Sequence, residues 1–355
     1  MQTAHLDLLD RRIIQALHLD PRASFRRFAE TLGVSEQTIA RRYRSLVEHQ
    51  VLRVVAELNS QRISESDWAI RLRCLPGSAP TVATKVARDP DASWVQVVSG
   101  GTEVFAAIRS QRRIKGAHPL LDQFSGSSQI VDARAYCLLH EYSNDAFSPL
   151  GADWLTPQEI NRLTQDPVAF SEVDRSLTVL HEADWPLIRA LGEDGRATYR
   201  QLAEATHWHE STVRRRVEDL VRAGVLSFHV DLENDAIGMG APALLWMSVS
   251  VSKLAEVGET LASHQAIPFV AATTGSTNLL AMVLCRDEAV LYGYLTKELA
   301  DLEGVLHLEV APIMHTVKHY SMITQFNANP QDASSHAAGP DERLAISPSF
   351  DNKET

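Results

Sequence analysis

Residues 9–63 recur without a gap as residues 183–237, 174 positions later, with identity at 20 of the 55 aligned places. A duplication of that kind restricts the chain to folds built from two equivalent units. The repeated text is ALHLDPRASFRRFAETLGVSEQTIARRYRSLVEHQVL, then ALGEDGRATYRQLAEATHWHESTVRRRVEDLVRAGVL. A second likeness follows each copy, WVQVVSGGTEVFAAI at 94–108 and FVAATTGSTNLLAMV at 269–283, at an offset of 175. The chain reads as two copies of one two-part module, and its function should need both.

Each repeated stretch has the pattern of a helix–turn–helix. In the first, Asp10 can cap a helix with Ile13, Ile14 and Leu17 on one face. Ser24 caps a second helix carrying Phe25, Phe28 and Ala29, and Gly33 suits a left-handed turn. Ser35 caps the third, with Val34 placed to staple against Ile39 and with Ile39, Tyr43, Leu46 and Val47 as its buried stripe. Residues 51–58 read as a short wing strand. The second copy has a Thr198/Gln201 capping box and a stripe of Val213, Val217, Leu220 and Val221. There Thr206 and His207 replace Leu32 and Gly33, so His207 must adopt the turn conformation that glycine takes easily.

After each copy come strand and helix signals in the order βαββαβ, the ferredoxin-like layout. They fall at about 68–75, 80–88, 93–100, 103–109, 112–124 and 130–141, then 243–251, 253–264, 268–274, 278–285, 287–301 and 304–319. The turns Ser99-Gly100-Gly101-Thr102 and Thr274-Gly275-Ser276-Thr277 suit hairpins between the central strands. The expected fold is α+β. A winged helix–turn–helix spans 1–64 and a ferredoxin-like domain 65–144; a linker covers 145–175. The second pair spans 176–240 and 241–326, with a disordered tail over 327–355. The linker holds one helix signal, Thr156-Pro157-Gln158-Glu159, and is long enough to let the halves pack side by side as a pseudo-dimer.

Composition excludes several classes. At 355 residues a single core is too large, and 45 % hydrophobic with 22 % charged residues describes an ordinary globular chain. Cys74, Cys137 and Cys285 make no zinc or redox spacing and point to a reduced, cytoplasmic setting. The first residues lack a secretory h-region, and the longest apolar run, near 243–251, is too short for a bilayer. No nucleophile triad, carboxylate pair or phosphate loop stands out, and His207-Trp208-His209 reads as turn and cap residues rather than metal ligands. The expectation is a protein that is not an enzyme, with no cofactor and no metal.

The third helix of each copy carries the chemistry. Its stripe leaves Gln37, Ala40, Arg41 and Arg44 outward with Arg42 on the flank, and in the second copy Ser211, Arg214, Arg215 and Glu218 with Arg216 on the flank. Glutamine pairs with adenine, arginine with guanine, and small residues let a helix approach base edges. Arg26, Arg27 and Arg200, beside the capped starts at Ser24 and Thr198, can hold phosphates. The net charge of −11 hides a difference: 10 Arg against 7 acids over 6–64 gives +3, and 7 Arg against 10 acids over 183–237 gives −3. The first copy should therefore grip DNA more strongly.

On these residues each half resembles the Lrp/AsnC (feast/famine) family of transcriptional regulators, over about 6–142 and 176–323. The pattern Leu32-Gly33-Val34-Ser35 with Thr38, Arg41, Arg42 and Leu46 carries the likeness, as do Thr212, Arg215, Arg216, Leu220, Gly224, Val225 and Leu226. The resemblance implies a winged helix–turn–helix followed by a RAM ligand-sensing domain, double-stranded DNA as partner, and homo-oligomers of paired modules. It also implies a small effector, often an amino acid, near the turn between the second and third sensing strands. There the family shows Gly, any residue, an aromatic and Asp; this chain has Gly100-Gly101-Thr102-Glu103 and Gly275-Ser276-Thr277-Asn278. The competing class is sirohaem decarboxylase, which shares the architecture but keeps a basic, aromatic segment where this chain has VSGGTEVFAAI and TTGSTNLLAMV. Because the two third helices differ, the halves should prefer different bases and address an asymmetric operator.

Overall fold

The computed structural model describes residues 6–59, 63, 65–89, 91–111, 126–142, 154–164, 180–234, 236–319 and 322–323. The helix expected over 112–124 and the tail over 327–355 lie outside the described residues. The first helical unit comprises α1 (Leu8–Leu19), α2 (Phe25–Leu32) and α3 (Glu36–Glu48). The second comprises α6 (Trp185–Glu193), α7 (Tyr199–Thr206) and α8 (Glu210–Arg222). Helix α1 starts a turn before the expected Asp10: Asp7 is the N-cap and Asp10 closes a reciprocal box with it. Ser24, Ser35 and Thr198 cap as their sequence positions imply, each accepting from a backbone N–H. Gly33 (φ 71°) and His207 (φ 58°) both take the left-handed turn. Ile39 and Leu46 are buried, whereas Val47 stands on the surface.

The strand expected to be a wing is not one. Strand β1 (Leu52–Leu58) pairs antiparallel with its own repeat, β6 (Leu226–Leu232), and the two form a separate two-stranded ribbon. The register runs from Leu52↔Leu232 to Leu58↔Leu226 and centres on Val55↔His229, residues that are themselves equivalent in the duplication. The helical units are thus related by an approximate two-fold axis through that pair. Each strand also completes the opposite core. Leu58 of β1 packs with Leu187, Leu191 and Leu202 of the second unit; Val230 and Leu232 of β6, with Ile237 beyond the strand's end, pack with Ile13, Ile14 and Phe28 of the first. The short helix α5 (Pro157–Thr164) is more than a tether: its Leu163 is fully buried in the first core, and its Glu159 pairs with Arg12.

The remaining strands are β2 (Glu65–Cys74), β3 (Ala92–Val98), β4 (Glu103–Gln111), β5 (Ile130–Glu141), β7 (Ala243–Val249), β8 (Phe269–Thr273), β9 (Leu279–Val283), β10 (Val305–His319) and β11 (Met322–Ile323). Each half gives a ferredoxin-like sheet, in the orders β3-β4-β2-β5 and β8-β9-β7-β10. The long last strand of each sheet then crosses into the other. The first part of β5 pairs with β2 and its end with β8, while β10 pairs first with β7 and then with β3. The two sheets therefore close into a ring without free edges among these eight strands. Ala69, Phe105, Tyr136, Leu244, Trp246 and Met282 fill the space between the sheets. Helix α4 (Ala79–Ala87) covers the outside of one sheet; α9 (Leu254–Ala262) and α10 (Glu288–Gly293) cover the other. The ring meets the ribbon at Asp231 of β6, which takes the Arg53 guanidinium of β1 (3.0 Å) and the His319 imidazole at the end of β10.

Candidate nucleic-acid interface

Helices α3 and α8 present unlike outer faces. On α3, Ser35, Gln37, Arg41 and Arg44 are exposed, Thr38 and Ala40 are half-buried, and neither Arg41 nor Arg44 has an ion-pair partner among the described residues. The start of α3 is well ordered by its cap: Ser35 Oγ accepts from Thr38 N–H (3.1 Å) and lies 2.8 Å from Thr38 Oγ1. On α8, Ser211, Thr212, Arg214 and Arg215 are exposed, and Ser211, Arg214 and Arg215 line a shallow hollow with Glu210 and Glu218. Its N-cap, His209, makes no side-chain capping bond. Arg214 is not extended into solvent but lies 4.9 Å over the Tyr199 ring, an arrangement Ala40 has no means to copy.

Arg42 and Arg216 sit elsewhere. Arg42 turns inward to Asp7 (2.8 Å) and Asp10 (3.3 Å), and Arg216 pairs with the buried Asp184 (2.6 Å). The residues are equivalent in the two copies, so α3 and α8 are each bolted to the start of the first helix of their unit by the same pair. Burial works to raise the Asp184 carboxyl, but the Arg216 hydrogen bonds, the His181 N–H and the Arg216 charge outweigh it and hold it below the usual range. Asp10 moves the opposite way, with burial dominant over its Asp7 N–H bond and Arg42. Arg26 and Arg200 are exposed next to Glu30 (2.8 Å) and Glu204 (3.9 Å) on their own helices. Arg27 is spent internally: its guanidinium donates to the Arg162 and Leu163 carbonyls at the end of α5 (2.9 and 3.1 Å). The structure thus keeps Arg41, Arg44, Arg214, Arg215, Arg26 and Arg200 on the surface and withdraws Arg27, Arg42 and Arg216.

The turns proposed for an effector are largely occupied by the protein itself. Glu103 is buried, forked to the Arg71 guanidinium (2.7 and 2.9 Å) and bonded by Ser99 Oγ (2.9 Å). Arg71 also reaches Glu309 of β10, tying the halves together inside the ring. Asn278 spends its amide on both backbone groups of Val249 (2.7 and 2.8 Å). Gly275 (φ 105°) lies under the Tyr136 ring, where a Cβ would come within 2.6 Å. Gly100 and Thr102 are exposed, Gly101 is half-buried, and Ser276 and Thr277 lie at the mouth of the second turn.

Two residues escaped the sequence reading. Arg22 and Arg196 lie between the first and second helices of their units and cross the interface to the other. Their signal was present as the repeated Asp20-Pro21-Arg22-Ala23-Ser24 and Asp194-Gly195-Arg196-Ala197-Thr198, read only as a break between helices.

Two paired helix–turn–helix units standing on a ring of two ferredoxin-like sheets define the architecture of a duplicated helix–turn–helix protein. Residues 6–47 and 180–221 match the AsnC-type helix–turn–helix domain, and residues 243–323 the Lrp/AsnC ligand binding domain. Both matches are to domains of the Lrp/AsnC family, and the helix–turn–helix match occurs in tandem. An uncharacterised helix–turn–helix-type transcriptional regulator of Pyrococcus abyssi is 29 % identical over 148 residues, 93 % of its own length but 41 % of this chain. The transcriptional regulator Ptr1 of Methanocaldococcus jannaschii is 25 % identical over 141 residues, 95 % of its length and 39 % of this chain. A crystal structure of the sirohaem decarboxylase NirDL shares the fold across both halves, covering 89 % of this chain and 94 % of that one with a TM-score of 0.58 at 14 % identity. Among the described residues no helix is long and apolar enough to cross a membrane, and no group of three or more His, Cys, Asp or Glu is placed to hold a metal.

Proposed function

We propose that the protein is a sequence-specific DNA-binding transcriptional regulator in which one chain supplies both readers of a pseudo-dimer, addressed to an operator with unlike half-sites. The observation that carries this reading is the pair of exposed faces on α3 and α8, which differ at four equivalent places. Gln37, Ala40 and Arg44 stand where the second copy has Ser211, Arg214 and Glu218, and Ser35 stands where it has His209. A homodimer reads a palindrome because its helices are identical; this chain is free of that constraint. Arg41 and Arg215 are the shared base-reading candidates, with Arg26 and Arg200 on the flanking phosphates. The turns at Gly100–Thr102 and Ser276–Thr277 are the places left for a small effector, and unequal affinity for two states is the only way it could act.

Selection from genomic fragments followed by footprinting tests the reading. The expected product is a site with two different half-sites. Arg41→Ala weakens binding roughly 10- to 100-fold through the first, and Arg215→Ala has a smaller effect on the second. Two identical half-sites lost equally with either variant would contradict the asymmetric operator. Absence of retention on any fragment at low salt would remove the DNA reading itself. The fold shared with NirDL is tested in parallel by incubation with sirohaem, where no decarboxylated product is expected.

A further inference from the structure

Arg22 and Arg196 are equivalent in the duplication, and their contacts are reciprocal. The Arg22 guanidinium donates to the carbonyls of Gly195 and Ala197, and the Arg196 guanidinium donates to those of Pro21 and Ala23 (2.6 and 2.7 Å). Each fork thus spans two carbonyls that flank the opposite arginine. Each also lies over aromatic rings across the axis. Arg22 lies 5.5 and 5.0 Å from Tyr199 and Phe228, and Arg196 lies 4.6 and 5.3 Å from Phe25 and Tyr43. Burial lowers the pKa of both guanidiniums, with Asp20 and Asp194 among the nearby charges that oppose it. Gly195 packs against β1 so closely that a Cβ would come within 2.9 Å of Val54, and its N–H donates to the Val54 carbonyl (2.8 Å).

A two-stranded ribbon is by itself a soft, strongly twisted connection. The arginines sit off its axis on both sides, two residues before the caps of α2 and α7, on which the reading helices pack. We propose that Arg22 and Arg196 form a reciprocal clamp that fixes the separation and phase of the two reading helices, making them positioning residues that set the half-site spacing the protein accepts. The inference rests on the DNA reading above. Arginine suits the role because a planar fork can serve two acceptors at once, which a lysine ammonium on a flexible stem does not hold in place.

The test uses the full chain with Arg22→Lys and Arg196→Lys, singly and together, spin-labelled through Glu48→Cys and Arg222→Cys on a Cys137→Ser background. Glu48 and Arg222 are equivalent, exposed ends of α3 and α8. Without DNA, the parent should give one narrow interlabel distance and the double variant a broad distribution. On duplexes in which the selected half-sites are moved by two base pairs, parent binding should fall about tenfold or more, because the second reader is rotated out of its groove. In the double variant that penalty should shrink to about twofold, while affinity for one isolated half-site stays at the parent value. Should the double variant lose its helical signal, the single variants carry the same two readouts, each with half of the clamp removed. An unchanged distance distribution, or an unchanged spacing penalty in a protein that still binds DNA, overturns the clamp alone. A parent that binds no duplex overturns the DNA reading and the spacing role with it, and the distance measurement still reports whether the arginines hold the helices.

Discussion

Single residues show how much of the reading surface is structural. In the sequence Arg42 and Arg216 stand on the flank, one position from the outward Arg41 and Arg215. What turns them from the flank to the interior is the depth of Asp10 and Asp184, and depth is not written in the order of residues. The two pairs are not equally robust. Arg216 forks onto the deeply buried Asp184, whereas Arg42 divides its guanidinium between Asp7, which is half exposed, and Asp10. Asp184→Ala should therefore destabilise the protein by about 3 kcal/mol, as when one partner of a buried pair is removed. Asp10→Ala should cost only about 1 kcal/mol, because Asp7 keeps Arg42 engaged. Thermal unfolding of the two variants side by side checks the order, and equal losses would show that Asp7 contributes nothing. Gly275 makes a sharper case. Gly275→Ala meets both a positive φ and the Tyr136 ring, so its unfolding temperature should drop clearly, and the drop should be smaller when the change is made in a Tyr136→Ala background than in the parent, leaving only the backbone share.

At the scale of elements, caps and turns were legible because their chemistry is local. Ser24, Ser35 and Thr198 each need only a neighbour three residues on, and the left-handed turn at Gly33 or His207 needs only its own backbone. The second helix–turn–helix keeps that geometry with poorer residues. His207→Gly should stabilise it by about 1 kcal/mol, by relieving the left-handed strain. His209→Ser should add about 1 kcal/mol by supplying the missing cap. Calorimetry resolves both, and a neutral His207→Gly would mean the histidine ring repays its strain through contacts. The pH response belongs to α1. Burial, reinforced by nearby His229, holds the His18 imidazole down to about 4 despite its bond to the Ile14 carbonyl. A base with a depressed folded pKa is protonated more readily in the unfolded chain. Its contribution is therefore intact above about pH 6.5 and is lost as pH falls toward 4. Between pH 7 and 5 the parent should lose more unfolding temperature than His18→Leu does. What local chemistry did not disclose is the fate of 51–58. A strand that follows a recognition helix has the same pattern whether it folds back as a wing or pairs with its own repeat, and the choice is made by a partner 174 residues away.

For the whole molecule, the decisive feature is exchange between halves. Leu58 and Ile237 complete each other's helical cores, and β5 and β10 each belong to both sheets. A fragment covering residues 180–323 would expose the edge of β8, the unpaired end of β10 and the face of Trp246. It should appear as a dimer of itself in light scattering rather than as a monomer, re-forming with a second fragment what the full chain makes alone. A well-behaved monomeric fragment would show that the sheets do not depend on closure. The duplication foretold two equivalent units but not this interleaving, since sequence identity between copies records common origin and says nothing of which strand meets which. The ribbon centred on Val55 and His229 has a further consequence for dosage. Both of its strands issue from one polypeptide, so assembly of the reading pair is unimolecular and survives any dilution. Promoter occupancy at low expression should then climb in simple proportion to the number of molecules, without the quadratic threshold that separate subunits impose.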